Sequence, residues 1–325
     1  MFRYSCIYVN RSCPRKCEYC SERDAPLRGR ELTESEWEKV VTHLDSLGIK
    51  FHLFLGNDCL LMGEDFLKLV NFLKGRQDYA FYSSFQPALF NKYRDRLLPA
   101  GLYNLSGGID VLSGDDDIAE KSADGLFALT WLKKQGIPDC QGTITLGKHN
   151  ISQCEKVVKT LSERGIWAVV NVVHWDTDGK FDFFPKRNLK YALEDTPELR
   201  DLISRLKDGI IRGEYMLQCP PEYLDGILEW GINQNWHCSK PIVTVDADSS
   251  LRTCGYRPGK YLPNYSVLDL GNELSVNKYM EIWESERLEC PGCYWGYPIM
   301  AEFDWYGDKE FADKVFREHA SKFRR

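Results

Sequence analysis

Seven of the twelve cysteines in this 325-residue sequence form two groups. The first group is Cys13, Cys17 and Cys20, a CxxxCxxC pattern within eight residues. Three neighbouring thiolates can ligate three irons of one [4Fe–4S] cube and leave its fourth iron without a protein ligand. An open metal position is typical of a catalytic site, whereas structural zinc prefers four ligands in paired short spacings. The triad therefore predicts a catalytic iron–sulfur cluster, with zinc as the alternative.

The second group contains Cys238, Cys254, Cys290 and Cys293, and its last two members form a CxxC pair. Four thiolates from one region suit a closed site that holds either zinc or a second [4Fe–4S] cluster. The spacing alone favours zinc. The remaining cysteines are scattered, and we expect them to be small buried apolar residues: Cys6, Cys59, Cys140, Cys154 and Cys219.

The elements that must position the first triad alternate between strand and helix. Hydrophobic runs predict strands at residues 4–9, 49–55, 79–83, 102–109, 141–146 and 166–173, with helices between them. Capping boxes mark two helix starts, Thr33 with Glu36 and Ser152 with Glu155. Such a series predicts an α/β fold, a partial (β/α)6 TIM-like barrel. In these barrels the chemistry lies at the carboxyl ends of the strands, where the triad stands.

The triad, with the aromatic Tyr19 before its last cysteine, resembles the signature of the radical S-adenosylmethionine (SAM) superfamily. The resemblance implies that the open iron binds SAM and that one electron splits SAM into methionine and a 5′-deoxyadenosyl radical. That radical removes a hydrogen atom from the substrate. It also implies that Tyr19 lies near the adenine and that a flavodoxin- or ferredoxin-type protein donates electrons.

Further segments at strand ends resemble the SAM-binding motifs of this superfamily. Gly56, Asn57 and Asp58 stand where the family often has Gly-Gly-Glu, although the same residues would also make an ordinary turn. On the fourth strand the resemblance implies contacts from Ser106 and Asp110. On the fifth it implies contacts near the adenine from Gly142 and Ile144.

The C-terminal cysteines resemble the Twitch type of auxiliary-cluster domain, a shortened SPASM domain, and this resemblance favours iron over zinc. Ser249 stands in its hairpin where glycine is common. We therefore predict three parts: a partial barrel at 1–185, a helical bridge at 186–235, and a small α+β auxiliary-cluster domain with a C-terminal helix at 236–325.

A closed auxiliary cluster predicts an electron acceptor and therefore oxidation of a small-molecule substrate, as in a biosynthetic dehydrogenase. One alternative is modification of a peptide, which the short segment of 12 residues before Cys13 disfavours because it leaves no room for a recognition domain. Others are a redox-neutral epimerisation, elimination or C–C bond formation, and a zinc or iron–sulfur scaffold that catalyses nothing.

Composition limits the partners and the location that we expect. The net charge is -6 and no basic run is present, which predicts no nucleic-acid partner. No stretch of 18 apolar residues predicts a membrane span, and the first residues lack the apolar core of a signal peptide. We therefore expect a cytoplasmic protein, in which cysteines stay reduced and are available as metal ligands.

Overall fold

A computed structural model describes residues 2–22, 29–176, 186–255 and 261–302. The chain forms two compact units. The first contains Met1–Lys16, Cys20–Asn104 and His237–Cys290, and the second contains Cys17–Tyr19, Leu105–Trp236 and Pro291–Arg325. This division cuts across the boundaries expected from the sequence, so the three-part organisation stays a prediction.

Strands and helices alternate along the first half of the chain, as the sequence predicts. Their bounds are β1 Tyr4–Tyr8, α1 Glu34–Ser46, β2 Phe51–Leu55, α2 Glu64–Phe72, β3 Tyr79–Ser83, α3 Pro87–Ala100, β4 Asn104–Gly108, α4 Asp117–Gln135, β5 Asp139–Leu146, α5 Ile151–Glu163 and β6 Trp167–Val172. The later elements are α6 Pro197–Ile211, α7 Pro221–Gly226, β7 Val243–Val245, β8 Ser250–Arg252, β9 Tyr261–Ser266, α8 Val276–Leu288 and α9 Gly296–Glu302. The α/β fold class is confirmed.

The first unit contains a mixed sheet in the order β3-β2-β1-β7-β8-β9. The pairs β1–β2, β2–β3 and β1–β7 are parallel, whereas β7–β8 and β8–β9 are antiparallel. The C-terminal hairpin of β7 and β8 is thus continuous with the sheet of the N-terminal strands, through register pairs such as Ser5 with Val243. The carboxyl ends of β1, β2, β3 and β7 meet at one edge of this sheet.

In the second unit β4, β5 and β6 are neighbours, and β5 and β6 pair in parallel from Gln141 opposite Trp167 to Leu146 opposite Val172. Helix α4 packs closely on β4, because a Cβ atom at Gly125 would lie only 2.9 Å from the carbonyl oxygen of Gly108. Glycine at position 125 therefore permits the close approach of the helix to the strand.

The two capping boxes expected from the sequence have different outcomes. At α1 the carboxylate of Glu36 accepts a hydrogen bond from the Thr33 N–H, and the predicted capping box is confirmed. At α5 the prediction is wrong: the helix begins at Ile151, with Asn150 as its N-cap. The Asn150 side chain instead accepts a bond from the Gly147 N–H, which ties the helix start to the end of β5.

The β7–β8 hairpin turns through Ser249, whose φ of 71° lies in the left-handed region that favours glycine. A glycine at this position would adopt the same conformation without the steric cost of a Cβ atom. The predicted C-terminal helix falls mostly outside the described residues, of which α9 is the last element. Among the helices described, none has the length and apolar character to cross a membrane.

Candidate active site

The loop after β1 is fixed to the end of β2 by Asn10. Its side-chain oxygen accepts from the Asn57 N–H at 3.1 Å, and its amide donates to the Asp58 carbonyl at 2.6 Å. Gly56 has a φ of 137°, and a Cβ atom there would lie 3.1 Å from the Asn10 side-chain oxygen. Only glycine permits this approach without displacing the loop. The Asn57 amide in turn donates to the Arg11 carbonyl at 2.7 Å.

Asp58 is fully buried at the end of β2, and its carboxylate accepts four hydrogen bonds. Leu60 donates through its N–H, Ser83 through its hydroxyl, and Ser84 through both N–H and hydroxyl. Burial raises the pKa of Asp58, and these bonds act in the opposite direction. A structural role of Asp58 in the turn after β2 accounts for all four of these hydrogen bonds. A contact between Asp58 and SAM stays a prediction.

In the second unit, Asp110 follows β4 and accepts hydrogen bonds from three different segments of the chain. Its buried carboxylate accepts from the Tyr19 hydroxyl, the Lys121 ammonium and the Thr145 N–H. Burial disfavours the charged carboxylate, but the Lys121 ammonium and these hydrogen bonds outweigh it and hold the pKa of Asp110 below its usual range. The predicted residues Tyr19 and Asp110 therefore lie in direct contact.

A second set of contacts fixes residues 18 and 19 within the same unit. The Asn188 amide donates to the Tyr19 carbonyl at 2.9 Å and to the His174 carbonyl at 2.7 Å. The Tyr191 hydroxyl donates to the Glu18 carboxylate at 2.8 Å, and its ring packs edge-on against Tyr19 with centroids 5.8 Å apart. Backbone and ring of Tyr19, the residue between Cys17 and Cys20, are thus held in one orientation.

The cysteines fall into two classes of environment. The five scattered cysteines are completely or almost completely buried, as predicted, and burial raises their thiol pKa, to about 12 for Cys140 and Cys154. The seven grouped cysteines are half-buried. Within the described residues, no set of three or more His, Cys, Asp or Glu side chains is arranged to hold a single metal ion.

Local contacts at the grouped cysteines suit sulfur ligands. The Arg15 N–H donates to Cys13 Sγ at 3.4 Å, and N–H bonds of this kind stabilise a metal-bound thiolate. The Cys293 N–H donates to the Trp236 carbonyl at 2.9 Å, which holds the CxxC segment beside a residue two positions before Cys238. A Cβ atom at Gly292 would lie 2.7 Å from the Asn235 backbone, so this close approach requires glycine. Cluster ligation by the seven thiols stays a prediction.

The other predicted SAM-binding residues lie within β4 and β5. Ser106 and Ile144 are buried in their strands. A Cβ atom at Gly142 would lie 2.6 Å from Leu161 of α5, so this glycine allows the helix to approach the strand. His174, after β6, is buried, and burial lowers its pKa to about 3, which keeps the ring neutral at physiological pH. SAM contacts from Ser106, Gly142 and Ile144 stay predictions.

Three residues of the site were not predicted from the sequence: Asn10, Lys121 and Asn188. One signal was available for Lys121, which shares the buried face of α4 with Ile118 and Gly125. A lysine on an apolar helix face requires a buried anionic partner, and Asp110 is that partner. No comparable signal exists for the two asparagines, because their partners are backbone groups that only the folded chain brings near.

Comparison with known proteins identifies the first half of the chain. Residues 7–161 match the family model of the Radical SAM superfamily. These residues form a radical SAM domain. This membership implies one [4Fe–4S] cluster and SAM as cofactors, in agreement with the resemblance seen in the sequence. A comparison with curated proteins finds no match.

Solved structures of SuiB from Streptococcus suis are similar to this chain. SuiB bound to the precursor peptide SuiA aligns with a TM-score of 0.62 at 15% identity, over 93% of this chain and 73% of that chain. SuiB bound to S-adenosylmethionine aligns with a TM-score of 0.64 at 15% identity, over 93% and 74% of the two chains. At these identities the similarity shows a shared fold.

We predict that Asp58→Ala destabilises the protein, because it leaves buried N–H groups without an acceptor. The free energy of unfolding from chemical denaturation should fall by about 1–3 kcal/mol. The exposed Asp65→Ala is the control and should change it by less than about 0.5 kcal/mol. SAM affinity of the folded variant tests the further role: a contact with the SAM ammonium predicts roughly a 10- to 100-fold loss, and unchanged affinity would assign Asp58 to the turn alone.

We predict that Lys121→Met lowers the free energy of unfolding by about 3–5 kcal/mol near neutral pH, because it leaves the buried Asp110 carboxylate without its cation. The pKa of Asp110 lies below its unfolded-state value, so its stabilising contribution is present at neutral pH and is lost as the pH falls. The difference in free energy of unfolding between the variant and the wild type should therefore become smaller as the pH is lowered. Lys134→Met, at an exposed lysine of the same helix, is the control; equal effects of both variants would contradict the prediction.

Proposed function

We propose that this radical SAM enzyme abstracts a hydrogen atom from a small-molecule substrate and completes an oxidation with the help of a second, auxiliary cluster. The observation that carries the proposal is the difference in burial among the cysteines: seven, in two sequence groups, are half-buried, and the other five are buried. Buried cysteines with raised pKa are poor metal ligands, because ligation requires the thiolate. The candidate ligands are therefore the grouped thiols.

Cys13, Cys17 and Cys20 would hold the first cluster, and Cys238, Cys254, Cys290 and Cys293 the auxiliary one. The first cluster, once loaded, supplies the electron that splits SAM into methionine and a 5′-deoxyadenosyl radical, and the auxiliary cluster supplies an electron acceptor. A flavodoxin- or ferredoxin-type protein would be the electron donor. The remaining chemistry falls to the protein, which must orient SAM and exclude water.

The contacts of Tyr19 suit an orienting role. Its hydroxyl is bound to Asp110, its carbonyl to Asn188, and its ring packs against Tyr191. Contacts that hold the side chain in one conformation would let SAM bind beside it with little further loss of side-chain entropy. Gly56 and Asn57, at the end of β2, would add backbone groups to the SAM ammonium.

Peptide modification is the second candidate, and one observation favours it. SuiB, which shares the fold over 93% of this chain, has been solved with a precursor peptide bound. A direct comparison separates the two substrate classes: the reconstituted enzyme is incubated with deuterated peptides encoded beside its gene, or with deuterated candidate amino sugars and nucleosides. Deuterium in 5′-deoxyadenosine only with the peptides would replace the first candidate by the second.

We predict about eight irons per chain after anaerobic reconstitution, and about four after replacement of Cys13, Cys17 and Cys20 by Ala. That triple variant should form no 5′-deoxyadenosine from SAM and dithionite, because the open-iron site is gone. Cys140→Ala, at a buried cysteine, is the control and should keep both iron and activity. Bound zinc with iron near zero, or 5′-deoxyadenosine from the triple variant, would contradict the assignment.

We predict that Cys290→Ala together with Cys293→Ala removes about four irons and leaves SAM cleavage intact, because the first triad is unchanged. Oxidised product should no longer form. Loss of a metal site can unfold a small region, so circular dichroism must show a native spectrum. A folded double variant that lacks the second cluster and still makes product at the normal rate would exclude the electron-acceptor role. A redox-neutral reaction would then be the better assignment.

A further inference from the structure

Asp246 directly follows β7 in the first unit and joins two arginines that lie far apart in the sequence. Its Oδ1 accepts from Arg11 Nε at 2.6 Å, and its Oδ2 accepts from Arg252 Nη2. The two side chains paired with Asp246 are 2% and 0% exposed, and the aspartate side chain is 4% exposed. Water and salt therefore do not screen these ion pairs as they screen pairs on a surface.

Each arginine stands at the base of a cysteine loop. Arg11 comes two residues before Cys13, and its Nη1 also pairs with Glu22, two residues after Cys20. The ion pair between Arg11 and Glu22 thus closes the loop that carries the first triad. Arg252 comes two residues before Cys254 and donates from Nη1 to the Gly255 carbonyl at 3.4 Å.

The ring of Tyr8 completes this arrangement. The guanidinium carbon of Arg11 lies 4.4 Å from the ring centroid and that of Arg252 lies 5.3 Å from it. The Tyr8 hydroxyl donates to the Gly255 carbonyl at 3.0 Å. The two guanidinium groups on Tyr8 thus pair with two carboxylates, those of Asp246 and Glu22.

We propose that Asp246 is a positioning residue that couples the two cysteine loops, so that the geometry of the Cys13–Cys20 loop depends on that of the Cys254 loop. One carboxylate holds a guanidinium from each loop, and a rigid carboxylate between two planar guanidiniums fixes both distance and angle. Ligands of a metal centre need such support, because small shifts of their backbone change how they bind the metal. The inference rests on the proposed cluster ligation.

The test compares the full-length wild type with Asp246→Asn, which keeps one oxygen and turns an amide NH2 towards the other guanidinium. The matched control is Asp45→Asn in the same unit, because the Asp45 carboxylate also joins two nitrogen-bearing side chains, Arg76 at 2.8 Å and His52 at 2.9 Å. Three quantities are measured: iron per chain, the electron paramagnetic resonance signal of the reduced protein with and without SAM, and anaerobic alkylation rates of single cysteines by mass spectrometry before reconstitution.

We expect Asp246→Asn to bind well below the roughly eight irons of the wild type and to alter the signal seen with SAM. Alkylation of Cys13, Cys20 and Cys254 should accelerate together by at least about threefold, because both loops open, while the buried Cys140 stays protected. Asp45→Asn should match the wild type in all three measurements. Faster alkylation at Cys254 alone, or equal behaviour of the two variants, would overturn the coupling.

A second variant guards against simple misfolding. Asp246→Leu combined with Arg252→Met removes one charge of each sign and leaves the Arg11–Glu22 pair intact, and apolar replacements of buried ion pairs generally fold. It should show native circular dichroism with the same joint increase in alkylation of the two loops. Absence of iron from the wild type itself would refute the proposed clusters, whereas the alkylation rates would still report on the coupling.

Discussion

A buried carboxylate is stable only when hydrogen-bond donors or cations replace the water that it has lost. The fold places three such carboxylates directly after strands. Asp58 follows β2, Asp110 follows β4 and Asp246 follows β7, and each is buried. Because a parallel strand leaves its last backbone groups unpaired, the loops beyond it have no regular partners of their own. The three aspartates supply those partners because they accept hydrogen bonds from hydroxyl, ammonium, guanidinium and N–H groups of neighbouring segments. The residues predicted to do chemistry are set on this framework.

The hydrogen-bond donors at the three aspartates are of two kinds, neutral at one aspartate and cationic at the other two. Asp58 is met only by neutral donors, the hydroxyls of Ser83 and Ser84 and two N–H groups, so its burial raises its pKa. Asp110 and Asp246 are met by cations, and the pKa of both is lowered. Neutral donors fix the shape of a turn, whereas a buried cation also sets the local electrostatic potential. The protein therefore stabilises its loops in two ways, with neutral hydrogen-bond donors and with buried cations.

Much of this arrangement can be predicted from the sequence because the residues involved lie only a few positions apart. The periodic apolar residues of α1 and its capping box lie within a few positions of one another, and the spacing of the first triad carries its own chemical meaning. Long-range pairing is not readable in this way. Lys121 and Asp110 are 11 residues apart, but Arg11 and Asp246 are separated by 235. The wrong capping box at Ser152 has the same origin, since the N-cap residue Asn150 also donates to the Asp110 carbonyl, 40 residues away in the sequence. Likewise, nothing in the hairpin around Ser249 reveals that β7 pairs with β1.

The pairing of β7 with β1 has a consequence for the order of events during synthesis. Strand β1 is made first, yet one of its two edges stays without hydrogen-bond partners until residues 243–245 leave the ribosome. An open strand edge is a site at which nascent chains associate wrongly, and contacts of such long sequence separation form slowly. The first cysteine loop therefore lies beside an unfinished sheet until those residues have been made. Iron delivered at that stage would meet thiols that are already exposed but not yet held in place, so the timing of cluster insertion relative to chain release becomes part of how this protein matures.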